Sequence, residues 1–566
     1  MREDRWYLYS VISLYFVSLM LRLIMPLSYS VWGPDTGENY YIVNYFSSFG
    51  RMPSPYLGFG STYTEFPAVY ELLGVFSSFS GISSATVTEL GMPFISSLLV
   101  FPFSSIGRRL SGRKAGGILT ALFYSASVVT VGHTSIIASD TLGEMVLIFF
   151  LNFYLDSGRS RTAFVFSTLL AVSMIPTYHL GTVFVILTMF ISLVYYSFFR
   201  RADSACLSRT VISLVSVTTL AIFYWSLAAP EFMKLFIQKI APLPLSLLLP
   251  YAAILLIYFA GRYLHISRSS FSYSVSRRLL SGYIFAIFII TAAAIVYVSA
   301  FGFPSIPIYP DPASAFFAPS LILPLVGVLF FIQFSTARYE NFLVGVLLLS
   351  VVAIIAVGFF TGISYLVPFR VVEYLYLLLA FLVGFGVVGT LELYFKPEAR
   401  IWVSVIVAFA LIFSTMAVTF QSAAISSPSK IGATPYEDLQ AANWIAWNTP
   451  RNSTFASDHR LSSIVFGYGG REATWEFGGY PIFHSTGLHD LLANLNLSET
   501  PAGSARIGYI IVDREMVNSA NFYPNQPDLP IPTSVLSMLK TYYFVEVYTN
   551  GFATVYEYAP PLTPFV

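Results

Sequence analysis

The chain has 566 residues, of which 56% are hydrophobic and only 10% charged, and its mean hydropathy is +0.70. A soluble globular protein carries about 25% charged residues, so this composition excludes one and predicts a polytopic α-helical membrane protein. The net charge of +1 argues neither for nor against an anionic partner, and no nucleic-acid partner is expected.

Taken in chain order, apolar runs broken by charged or Pro/Gly clusters predict membrane helices near 6–27, 88–107, 115–132, 141–156, 162–176, 179–198, 210–228, 244–261, 279–300, 316–334, 341–360, 370–390 and 401–420, about thirteen in all. The first run, Trp6 to Leu27, reaches the roughly 20 residues that span a bilayer and reads as a helix, not a cleavable leader. Cys206 is the one cysteine, so no intrachain disulfide is expected. Lysine and arginine test the map independently of hydropathy. With a cytoplasmic N-terminus, eighteen of them before residue 421 fall inside, and only Arg51, Lys234, Lys239 and Arg370 fall outside. An odd number of helices then puts residues 421–566 on the extracytoplasmic side.

This divides the chain into a membrane domain, 1–420, with a long external loop at 28–87, and a polar C-terminal domain, 421–566. Within that tail "RIGYIIVD" (506–513) and "YYFVEVY" (542–548) read as short strands of a soluble α/β domain. Two acceptor sequons, at Asn452 and Asn496, would face the side where glycosylation occurs, although such triplets also arise by chance.

The external side of the membrane domain carries few acids. The 28–87 loop holds Asp35, Glu38, Glu65 and Glu71, and "GHTSIIASDTLGE" (132–144) holds His133, Asp140 and Glu144. Topology assigns Asp35 and Asp140 to the same membrane face. Carboxylates meeting there suit a hard divalent cation, Mg²⁺ or Mn²⁺. Helix capping competes with that reading. Asp35 to Glu38 has the spacing of an N-cap and its partner for a helix over 36–50, and Thr141 to Glu144 that of a capping box. Arg370 lies at the outer end of a late helix with Glu373 three residues on; the two form a helix salt bridge, or Arg370 binds the phosphate of a lipid-linked substrate. His133 and His179, at outer helix ends, are candidates for phosphate or metal contact as well as for plain structural roles. His459, His484 and His489 lack zinc spacing. Walker A, Rossmann and G-x-S-x-G signatures are missing, which argues against an ATP-driven pump and a serine hydrolase.

The helix map, the first-loop acid, the Asp-centred second motif, the late-helix Arg and the external C-terminal domain together resemble the GT-C glycosyltransferases. The likeness is greatest to the catalytic subunit of archaeal and bacterial oligosaccharyltransferases, enzymes of protein glycosylation. Residues 93–144 look like that family's second and third helices and its second acidic motif, and 439–475 like the segment leading into its sequon-reading WWDYG motif. At that place this chain has Ala456-Ser457-Asp458-His459-Arg460, and WWDYG occurs nowhere; Leu142 also stands where the second motif usually has another acid.

The resemblance implies transfer of a sugar or oligosaccharide from a polyprenyl-phosphate or polyprenyl-diphosphate donor in the bilayer to a glycan, lipid or protein acceptor outside. Asp35 corresponds to the catalytic or acceptor-orienting carboxylate. Asp140, with Glu144 and Asp35 as further candidates, would bind the divalent cation. Arg370, with His133, would bind the donor phosphate, and Glu38, Glu373 and His179 are secondary candidates. A secondary transporter or lipid-linked-saccharide flippase is the alternative, although no internal repeat is evident.

Overall fold

The computed structural model describes residues 2–198, 204–234, 245–263, 318–334, 339–361, 368–425, 433–496, 498–520, 522, 530–541 and 543–559. Helix occupies every expected apolar run except 279–300, which lies outside the described residues. Among the described residues six helices are long and apolar enough to cross a membrane: Arg5–Ser28, Ser84–Ser111, His179–Phe198, Ala205–Leu227, Glu373–Tyr394 and Pro397–Val418. A seventh is obtained by joining Lys114–Ala126 to Val128–Thr134, which meet at a 58° bend. Arg161–Met174, Pro250–Ala260, Pro319–Phe331 and Tyr339–Ile355 are shorter apolar helices.

The chain forms two compact units. One takes in Met1–Arg22, Pro93–Ser135 and Ser139–Val418; the other takes in Leu23–Met92, Ile136–Ala138 and Thr419–Val566.

The first unit is a helical bundle whose core includes the stacked rings of Phe103 and Tyr124, 4.4 Å apart, with Phe381 5.0 Å from Phe103. Its bent pair has a local cause. Ser127 is extended (φ −80°, ψ 131°), so the helix stops there and restarts at Val128. Such a break leaves carbonyls without their helical donors, which is costly in an apolar setting. Arg22, fully buried, supplies donors: its guanidinium reaches the carbonyls of Ser125 (3.2 Å) and Tyr124 (3.3 Å). The same group bonds Ser18 Oγ and Thr134 Oγ1, both at 2.7 Å, and lies over the Tyr124 ring. Arg22, a charge within the first apolar helix, therefore holds the bend that carries His133.

In the second unit, strand β1 (Val31–Trp32) of the external loop pairs antiparallel with β2 (Ala433–Thr434). Strands β3 (Thr454–Ala456), β4 (Glu472–Ala473), β7 (Tyr509–Asp513), β8 (Phe544–Thr549) and β9 (Ala553–Tyr558) form a mixed sheet in the order β4-β3-β7-β9-β8; β5 (Ser498–Thr500) and β6 (Gly503–Ala505) make a separate hairpin. The two expected strands are β7 and β8. Parallel at one edge and antiparallel at the other, β7 is covered on both faces, which is why its centre is the unbroken run Ile510-Ile511-Val512.

The loop over 28–87 is largely helical. The expected helix spans Thr36–Phe49 and stops at Gly50, whose positive φ of 66° lets its N–H bond Phe46 O. This helix crosses the His459–Gly467 helix at Gly37 and Gly467, where a Cβ on either glycine would collide with the facing backbone. The Glu38 amide donates to Ser463 Oγ (3.1 Å) at the same crossing. The near-contact of backbones brings the first turns of the two helices together, and with them Asp35 and His459.

Candidate active site

In the first unit the Val128–Thr134 helix aims His133 at three carboxylates. Nδ1 lies 3.1 Å from Glu373 Oε1, and Nε2 lies 3.5 Å from Glu144 Oε1 and 3.8 Å from Asp140 Oδ1. One ligand atom from each of His133, Asp140 and Glu373 falls within 4.8 Å of the others. Glu144 is buried and its Oε1 has no hydrogen-bond donor among the described residues. Among the described residues three acids and one imidazole converge here within an apolar bundle, a donor set that could hold a cation. Oxygen donors with one nitrogen fit Mg²⁺ or Mn²⁺, the imidazole favouring the latter.

In the second unit Asp35 occupies the N-cap position of the Thr36–Phe49 helix, but its side chain makes no capping bond. Oδ1 instead lies 2.6 Å from His459 Nε2, and Oδ2 accepts from the Tyr63 hydroxyl at 2.9 Å. The Asp35 side chain is 31% exposed and that of His459 only 3%. Phe59 and Trp475 enclose the imidazole, with ring centroids 5.3 and 5.6 Å from it.

Glu38, one turn on, is buried. Its Oε1 accepts from the Tyr56 hydroxyl and from Gly60 N (2.9 Å), while Oε2 has no donor among the described residues. Burial, and then the charge of Asp35, push its pKa up to about 8 against the pull of those two donors. Glu38 is thus protonated at neutral pH while Asp35 has donors on both oxygens.

Several expectations are revised. Glu38 does not act as a capping partner; its carboxyl turns inward to Tyr56 and Gly60. Thr141 is not an N-cap, because the helix begins at Ser139, and Glu144 faces His133 instead. His133, expected to contact a phosphate or a metal, lies among carboxylates, and Glu373 Oε1 lies 3.1 Å from its Nδ1. Arg370 lies in the first turn of Pro368–Tyr394, and its side chain is outside the described residues. His179 packs between the rings of Tyr178 and Phe232, 4.7 and 4.5 Å away.

His459, Tyr63 and Tyr56 were not foreseen as partners of the loop acids. The one available signal was the departure from WWDYG at 456–460, and these residues prove to be engaged internally. Ser457 Oγ donates to Ile511 O, and Asp458 accepts from Leu461 N as the helix N-cap. Arg460 is fully buried, bonding Asp438 Oδ2 at 2.6 Å and Asp513.

The fold is that of the GT-C membrane glycosyltransferases. The chain is similar to the arabinofuranosyltransferase AftD from Mycobacteria, with a TM-score of 0.50 and 14% identity over 98% of this chain. It spans 40% of the AftD chain. ArnT from Cupriavidus metallidurans bound to undecaprenyl phosphate aligns over 98% of this chain and 97% of its own at 13% identity, with a TM-score of 0.43. At such identities the likeness is one of fold. No protein-family model and no curated protein sequence matches the chain.

Proposed function

We propose that this protein is a membrane glycosyltransferase that moves a sugar or oligosaccharide from a polyprenyl-phosphate or polyprenyl-diphosphate donor to an acceptor hydroxyl on the extracytoplasmic face. The observation that carries the reading is the cluster of His133, Asp140, Glu144 and Glu373 on apolar helices, a cation site of the kind needed opposite a phosphate leaving group. The fold supports it, since AftD is an arabinofuranosyltransferase.

A divalent cation bound there supplies positive charge that offsets the charge developing on the leaving phosphate. Asp140, Glu373 and His133 would hold it, with Glu144 as a further donor. Arg370, by its expected place at the outer end of a late helix, would grip the donor phosphate through its guanidinium fork. Asp35 takes the proton of the acceptor hydroxyl as the oxygen attacks the anomeric carbon, and single displacement inverts that carbon.

The test is transfer from lipid-linked saccharide in membranes carrying Asp35→Asn or Asp140→Asn. Each substitution is expected to lower transfer by about 10²-fold or more; wild-type transfer in both would sink the assignment. Mass spectrometry of glycolipids and surface glycoproteins from a deletion strain would identify the sugar and acceptor.

A further inference from the structure

The second unit joins residues 424 positions apart at one carboxylate. Asp35 comes from the external loop and His459 from the C-terminal region, and they meet because the glycines at 37 and 467 let two helices cross at backbone distance. The His459 ring is 3% exposed and enclosed by Phe59 and Trp475, so it has little freedom to turn. Its Nε2 is 2.6 Å from Asp35 Oδ1, and the Tyr63 hydroxyl is 2.9 Å from Oδ2. A carboxylate on a helix cap normally turns back to bond the N–H groups of its own first turn. Here two donors hold it away from that geometry while the side chain remains 31% exposed.

We infer that His459 is a positioning residue for Asp35, which with Tyr63 clamps the carboxylate in the orientation that receives the acceptor proton, so that the C-terminal domain completes the catalytic site. This rests on the proposed transfer reaction. In that reaction a bond forms between the acceptor oxygen and the anomeric carbon, the bond from that carbon to the phosphate oxygen breaks, the phosphate leaves with the electron pair, and the hydroxyl proton passes to Asp35. His459 exchanges no proton with substrate; its Nε2–H holds Oδ1. The cost of losing such an orienting bond falls on turnover, because a misaligned base reacts slowly even when substrates bind normally.

The experiment uses the full-length protein in membranes, with lipid-linked saccharides extracted from the source cells as donor and freed polyprenyl phosphate as readout. His459→Leu is expected to lower kcat roughly 10- to 100-fold with donor KM unchanged. His459→Gln, whose amide nitrogen donates from a similar distance, is expected to recover most of that loss. A tie serving only stability would lower the melting temperature and leave kcat per folded molecule unchanged. Wild-type kcat in His459→Leu, or a Gln variant that folds but is no better than Leu, overturns the inference. Should His459→Leu fail to fold, Tyr63→Phe removes one hydroxyl from the same clamp; a several-fold fall in kcat supports the clamp and wild-type kcat overturns it. Asp35→Asn separates the two levels. Full activity there removes Asp35 from the chemistry and the clamp with it, absence of any transfer by the parent protein would end the transferase reading, and lost activity in Asp35→Asn with wild-type turnover in folded His459 variants overturns the clamp alone.

Discussion

His133 and His459 each lie within ion-pair distance of carboxylate, and the two clusters differ in the balance of donors and acids. Around His133 three acids share one imidazole, and Glu144 Oε1 is buried without a hydrogen-bond donor among the described residues. Around Asp35 a single exposed acid has two donors, and its neighbour Glu38 is kept neutral. The first arrangement gathers ligand atoms that could hold a cation; the second gives one carboxylate a donor on each oxygen and suits holding it in place. Residue types alone do not distinguish them, since each is built from acids, a histidine and tyrosines close by.

The strongest test of that contrast is Mn²⁺ binding followed by electron paramagnetic resonance. Asp140→Asn combined with Glu373→Gln is expected to weaken binding more than about 100-fold, because loss of outer partners alone costs 10- to 100-fold at metal sites. Asp35→Asn is expected to leave it within about twofold. Equal losses in the two would break the comparison and make the clusters a single metal site.

Next in size is the pH response of Glu38→Gln. With the folded pKa raised from 4.5 to about 8, the folded state holds a proton that the unfolded state has lost between those values. Stability from this group is therefore full below about pH 4.5, falls as pH rises toward about 8, and is flat above. Glutamine removes the penalty, so the variant should match the parent near pH 5 and exceed it near pH 9 by on the order of 2 kcal/mol, seen as a raised melting temperature. A parallel pH dependence in the two proteins would mean that Glu38 is ionised when folded.

Arg22→Leu removes the guanidinium from the Ser125 and Tyr124 carbonyls and from Thr134, leaving Tyr124 O the Thr130 hydroxyl, and loosens the helix that presents His133. Mn²⁺ affinity is expected to fall about tenfold, with donor KM and His459 variants setting the reference for damage confined to this unit. The smallest effect is expected at His179→Ala. Its ring packs between those of Tyr178 and Phe232, so Mn²⁺ affinity and transfer should change less than about twofold.

Much of the bundle was legible because hydropathy reports burial in lipid run by run, and the helix over 36–50 was legible through its stop at Gly50. Asp140 and Glu144 were singled out through the expected topology, as acids rare on the face it assigns them. What sequence could not supply were relations without a local period. His459 meets Asp35 through a crossing of two helices that only glycine allows, and no spacing rule connects positions 37 and 467. Glu373 also reaches His133 on another helix, a contact that its spacing from Arg370 gives no sign of. The capping spacings at 35–38 and 141–144 were real patterns. Tertiary partners took their side chains, as competing donors in a packed site often do.

The β1–β2 pairing and the glycine crossing also constrain how the protein is made. Residues 23–92 leave the ribosome well before the strand and helix they pack against, which lie beyond residue 419. Contacts of such sequence separation form only after the whole membrane portion has been synthesised, and they carry the loop-closure cost that slows folding. Until then the loop helix lacks its partner, and Asp35 lacks the imidazole that fixes its orientation.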